Sequence, residues 1–177
     1  GGEESRTPVK LELDKNARIV VQTGLRSRID QQPVDLQPPD QEFCGSNLDI
    51  HWVMPDFKAG GGGHMTIFRI VRLLEMFGHR NTIWLYRRVY HEDGEQAYND
   101  IVKHFQPVSA QVKFYDEGLS ESVGDVVIAT DWPSVNYVNS MKHFKRRFYF
   151  VQDDESQFFP TGTHQLSAAR TYEDDLD

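Results

Sequence analysis

Residues 48–77 read LDIHWVMPDFKAGGGGHMTIFRIVRLLEMF: an apolar run, a proline, four adjacent glycines and an amphipathic stretch. Leu48–Met54 has the length and apolarity of a buried strand, and Pro55 ends it. In Met65–Phe77 the polar residues Thr66, Arg69, Arg72 and Glu75 recur at every third position. The remaining apolar side chains then cover a broad helical face, fit to pack on a sheet. Gly78 and His79 stand where a C-terminal cap belongs. A strand, a glycine-rich turn and a helix in this order open a Rossmann-like domain.

Downstream, short apolar runs alternate with amphipathic stretches. Thr82–Tyr86, Gln111–Tyr115, Asp125–Thr130 and Arg147–Val151 read as strands. Helices are predicted near Glu95–His104, from Pro133 to Met141, and from Thr163 or His164 toward Tyr172; Glu173–Asp177 is an acidic tail. The connections are too long for hairpins, so the strands must run parallel with crossovers between them. The expected fold class is α/β: a single Rossmann-like domain over residues 47–177, with a parallel sheet of about five or more strands and helices on both faces. Upstream, residues 1–46 are rich in Pro, Gln, Asp and Glu and read as an extended arm, with Ala17–Gln22 as its one candidate strand. Gly1 and Gly2 read as remnants of an expression tag.

The net charge of -8 argues against general affinity for nucleic acid or an anionic membrane, because either partner needs a basic face. Cys44 is the single cysteine, so the chain can form no internal disulfide or cysteine-based metal site, and a reducing compartment is expected. No stretch reaches the roughly 18 apolar residues of a membrane span. The expected location is the cytoplasm, with peripheral contact at the inner face of the membrane as a variant. The histidines show neither an i, i+4 pair nor an HExxH pattern, so no metal is expected.

In open parallel sheets, ligands bind beyond the carboxyl ends of the strands. The first such segment is Pro55–Thr66. Gly60, Gly61, Gly62 and Gly63 remove every Cβ from its turn, and free N–H groups at the following helix start offer an anion site. The plainer alternative is a flexible turn. A Walker loop needs Gly-Lys before Ser or Thr, whereas these glycines run into His64-Met65. The dinucleotide fingerprint needs a third glycine where Thr66 or Ile67 stands, and an acidic residue where Tyr86-Arg87-Arg88 stand. A nicotinamide reductase therefore remains only a minor alternative.

The run PDFKAGGGGHMTIFRIVRLLEMFGHRNTIWLY resembles the opening of sugar-nucleotide-dependent glycosyltransferases of the two-domain GT-B fold. In particular it is similar to bacterial rhamnosyltransferases of the WsaF type, grouped with glycosyltransferase family 4. Ala129–Ser134 (ATDWPS), Phe148–Glu155 (FYFVQDDE) and Phe158-Phe159-Pro160 match the same N-terminal domain, so the resemblance spans roughly Asn47 to Tyr172. It implies an acceptor-side domain whose glycine loop lines a cleft facing a second, donor-binding domain. That second domain, expected to carry most of the nucleotide-diphospho sugar, of the dTDP-rhamnose type, has no counterpart in these residues. The implied acceptor is a glycan or lipid-linked saccharide, and the implied chemistry keeps the anomeric configuration without a bound metal. A non-catalytic glycan- or nucleotide-binding module is the alternative from another class.

Against that background each candidate has two readings. His64 at the helix start is a neutral hydrogen-bonding imidazole or a capping residue, and Thr66 is a hydroxyl ligand or a helix-start residue. Asp56 and Lys58 flank the loop and meet a polyhydroxyl or anionic ligand, or are simply solvated. Trp132 and Tyr137 offer faces for sugar rings, or belong to the core. Gln152 and Asp153, with Asp154 and Glu155, follow the fifth strand; one carboxylate there could orient an acceptor hydroxyl or serve as a base, or the segment is a solvated acidic turn. The basic run Lys142, His143, Lys145, Arg146 and Arg147 is expected to be a connection before that strand, either solvated or touching anionic head groups.

Overall fold

The computed structural model describes residues 47–174 and 176. The arm over 1–46, with its candidate strand, lies outside the described residues. The described chain forms one five-stranded sheet with every neighbouring pair parallel, in the order β3-β2-β1-β4-β5. Its strands are β1 (Asp49–Pro55), β2 (Arg80–Tyr86), β3 (Gln111–Phe114), β4 (Gly124–Ala129) and β5 (Phe144–Tyr149). The helices are α1 (Gly62–Met76), α2 (Gly94–His104), α3 (Trp132–Ser140) and α4 (Thr163–Thr171). The Rossmann-like α/β fold expected from the sequence is the fold observed.

Period-two alternation divides the core into two layers. Ile50, Trp52 and Met54 of β1 and Ile83 and Leu85 of β2 pack with Ile67, Phe68 and Val71 of α1 and with Ala97 and Ile101 of α2. Val53, Trp84, Tyr86, Val127 and Ala129 point the other way, against Val135 and Val138 of α3. Helices α1 and α2 carry the chain outward from β1 to β3 on one face. Helix α3 carries it from β4 to β5 on the other, as a single crossover hand requires. Both indole N–H groups in the layers are paired: Trp52 Nε1–H donates to Asn81 Oδ1 at 2.9 Å, and Trp84 Nε1–H donates to His51 Nδ1 at 2.9 Å. No helix among the described residues is long and apolar enough to cross a membrane.

Most boundaries move by one or two residues from the sequence reading, and two element starts move further. Helix α1 begins at Gly62 rather than Met65, because Gly62, Gly63 and His64 form its first turn and Met65 N–H closes it on the Gly61 carbonyl at 3.0 Å. Strand β5 begins at Phe144 rather than Arg147, so most of the basic run lies within the strand and not before it. The reason is packing: Phe144 is buried, edge-on to the His51 ring at 4.9 Å between centroids, and pins the strand start. Lys145 pairs with Asp125 at 3.2 Å, and Arg147 donates to the Asn139 carbonyl at 3.1 Å. Cations on an edge strand discourage further strand pairing.

Candidate functional site

β1 and β4 lie side by side while their connections leave in opposite directions, so the topological switch point falls between their carboxyl ends. The segment leaving β1 is the glycine loop. Gly60 has φ +90°, a conformation that a side chain would strain. Gly61 caps α1 without a side-chain hydrogen bond, and the first turn holds no acidic residue. A Cβ on Gly63 would stand 3.3 Å from Gln152 Oε1, so the loop after β5 closely approaches the start of α1. The backbone N–H groups of that turn thus meet neither a capping side chain nor a carboxylate of their own helix.

Behind the turn, His64 packs against the rings of Phe57 and Phe68, with centroids 5.6 and 6.3 Å away. Burial lowers its proton affinity below the usual histidine range, although the Pro55 carbonyl and the Asp131 and Asp56 charges pull the other way. The imidazole is therefore neutral near pH 7, with burial rather than the helix start as the chief cause. Its Nε2 is buried and has no hydrogen-bond partner.

The segment leaving β4 supplies Asp131, which caps α3: it accepts the Ser134 N–H at 3.1 Å in a reciprocal capping box, and the Tyr86 hydroxyl also donates to it. Burial raises the Asp131 carboxyl above its ordinary range despite those donors, and the Tyr86 phenol is pushed far upward by its own burial and the Asp131 charge. The segment leaving β5 supplies Glu155, which accepts the Trp132 N–H at 2.8 Å. Burial pushes Glu155 up to about 6, and the charges of Asp131 and Asp153 add to that against the Trp132 hydrogen bond. Glu155, raised to about 6, can take up or release a proton just below neutrality.

Not every residue chosen from sequence lies here. Gly60–Gly63, His64 and Gln152 converge, and Asp153 follows Gln152 on the exposed loop, its carboxylate accepting the Asp154 N–H at 2.8 Å. Trp132 contributes its N–H, while its ring lies edge-on to Phe159 at 6.1 Å. Lys58 extends outward, its Nζ 4.6 Å above the Tyr90 ring. Thr66 is exposed, and its hydroxyl donates to the Gly62 carbonyl within α1 at 3.4 Å. Tyr137 stacks on Tyr86 at 5.4 Å, on the α3 face of the sheet.

Asp56 is turned inward. One oxygen accepts the N–H groups of Val89, Tyr90 and His91; the other accepts the Phe57 N–H and meets His91 Nδ1 at 2.5 Å. Burial alone would raise this carboxyl, but the Tyr90, His91 and Val89 hydrogen bonds outweigh it and hold the group below the usual carboxylate range. Asp56 therefore staples the β2–α2 loop and has no lone pair aimed at a ligand.

Asp131 was not singled out from the sequence as a site residue, and Glu155 entered only as one of the carboxylates after the fifth strand. The available signal for Asp131 was its spacing to Ser134 directly after a strand, a capping pattern at the ligand-binding edge. Among the described residues no group of three or more His, Cys, Asp or Glu is placed to hold a metal ion. Comparison with protein-family models, with curated proteins and with solved structures found no match.

Proposed function

We propose that the chain is the acceptor-side domain of a nucleotide-sugar-dependent glycosyltransferase, adding rhamnose or a related sugar to a bacterial surface polysaccharide. The sequence resemblance motivates this reading. The observation that carries it is the uncapped start of α1 at the switch point, facing Gln152, with Asp131 and Glu155 on the segments that leave β4 and β5. The α1 amides suit a donor diphosphate or an acceptor oxygen, and Gln152 suits a ring hydroxyl. Glu155 can accept a proton from an acceptor hydroxyl, because it titrates close to neutrality. A second Rossmann-like domain would have to bring the donor, of the dTDP-rhamnose type, to the opposite side.

A non-catalytic glycan- or nucleotide-binding module is the second reading. Two concavities of about 620 and 440 Å³, at the amino edge of the sheet and beside α3, favour it, because each offers a binding surface apart from the glycine loop. The test is an amide-resolved NMR titration with a panel of nucleotide sugars, joined to a transfer assay on the protein carrying both domains. The transferase reading requires shifts at 60–64 and 152–155 together with transfer; shifts without transfer would leave the module. Absence of both would sink both readings.

A further inference from the structure

Three of the four strand-to-strand connections contain a helix. The fourth, from β3 to β4, carries only a 3₁₀ turn at Tyr115–Glu117 before β4 begins at Gly124. The crossover hand takes this connection over the α3 face of the sheet. Leu119 dips from it into the core beside Trp84 and Tyr86. Between the crossover and α3 lies a groove of about 440 Å³, walled by Tyr115, Leu119, Tyr137 and Met141 and rimmed by Asp116, Ser120, Glu121 and Ser140. That volume falls in the range of small-molecule sites.

Two of the walls are aromatic. Tyr137 is held by its stack on Tyr86, and the Tyr115 ring stands 5.9 Å from it at 58°, with 43% of the residue exposed. The rim is set to accept rather than donate. Ser120 spends its hydroxyl proton on Glu121 Oε1 at 2.7 Å, and Ser140 spends its own on the Tyr137 carbonyl at 2.7 Å. Asp116 is engaged by Arg88. A phosphate or carboxylate would face the Glu121 and Asp116 charges and find few donors. A ligand suited to this lining is neutral, brings several hydroxyl donors, and has an apolar face to lay on tyrosine.

We infer that the groove between the β3–β4 crossover and α3 is a saccharide-binding site, separate from the glycine-loop edge, that holds a pyranose ring against Tyr115 and Tyr137. The inference stands on the groove alone and does not require the transferase reading. The test is an amide-resolved NMR titration of the full chain with methyl α-L-rhamnopyranoside, methyl α-D-glucopyranoside and methyl α-D-mannopyranoside, with choline as the cationic control. At least one glycoside is expected to shift amides at 115–122 and 137–141, with a Kd on the order of millimolar. Tyr115→Ala, which removes an exposed ring, is expected to weaken binding by about fivefold, and Glu121→Gln by less. The site is overturned if no glycoside shifts these amides, if the shifts are confined to 60–64 and 152–155, or if choline moves the groove amides at lower concentration than any glycoside. Nucleotide-sugar shifts at the loop without glycoside shifts at the groove would overturn this site while leaving the proposed function standing.

Discussion

Asp56 and Glu155 are both carboxylates on loops just past parallel strands, at the same edge of one sheet, yet their surroundings treat them oppositely. Asp56 receives N–H groups from Phe57, Val89, Tyr90 and His91 and the His91 ring, and its charge is held firmly. Glu155 receives only the Trp132 N–H, lies half-buried beside two other carboxylates, and holds its proton to about pH 6. Hydrogen-bond supply, rather than residue type or position, separates a structural carboxylate from one free to react.

The contrast is broken most directly at Asp56. Asp56→Ala leaves buried backbone donors and the His91 ring unmatched and should cost about 3 kcal/mol or more, measured by urea denaturation. A loss below about 1 kcal/mol would mean that the staple is not structural. The two carboxyls should also respond oppositely to pH. The Asp56 pKa is lowered on folding, so its contribution is complete above the unfolded carboxylate value and is lost as pH falls through the lower folded value. The Glu155 pKa is raised, so ionising it disfavours the fold once pH rises from about 4.5 through about 6.

Glu155→Gln should therefore stabilise the protein at pH 8 by up to about 1 kcal/mol, after allowance for solvent screening, and give almost no gain at pH 4. Equal effects at both pH values would remove the argument that Glu155 is poised. Gly63→Ala sharpens the comparison at the ligand edge. Alanine favours the helix by up to about 0.5 kcal/mol, while its methyl crowds Gln152. Melting temperature should hold or rise, and on the proposed transferase reading nucleotide-sugar shifts at residues 60–64 should weaken. Thr66→Ala, at an exposed hydroxyl that bonds only within its own helix, should change stability by less than about 0.5 kcal/mol and leave binding intact.

The sheet was legible because buried parallel strands are apolar runs, and DIHWVM or DVVIA cannot be mistaken for surface. Strand β5 was misplaced because an edge strand need not be apolar: FKRRFY carries its register in Phe144, whose packing partner His51 is distant in sequence. The glycine loop and His64 were legible from local spacing alone. Asp56 was not, since the donors that bind it come from Val89, Tyr90 and His91 on another loop. The raised affinity of Glu155 was invisible for a similar reason: it depends on burial and on Asp131, neither of which a linear pattern records.

Strand β1 comes first among the described strands in sequence and sits at the centre in space. To one side it meets β2 after a single helix; to the other it must find β4, and Asp49 N–H bonds Asp125 Oδ2 across 76 residues. Loop-closure entropy makes the first pairing the earlier event in folding and leaves β4 and β5 to dock on a preformed β1–β3 unit. The candidate ligand edge lies on that seam. A molecule bridging the glycine loop and the segments after β4 and β5 would clamp the two halves together, and amide exchange in β4 would slow when it binds.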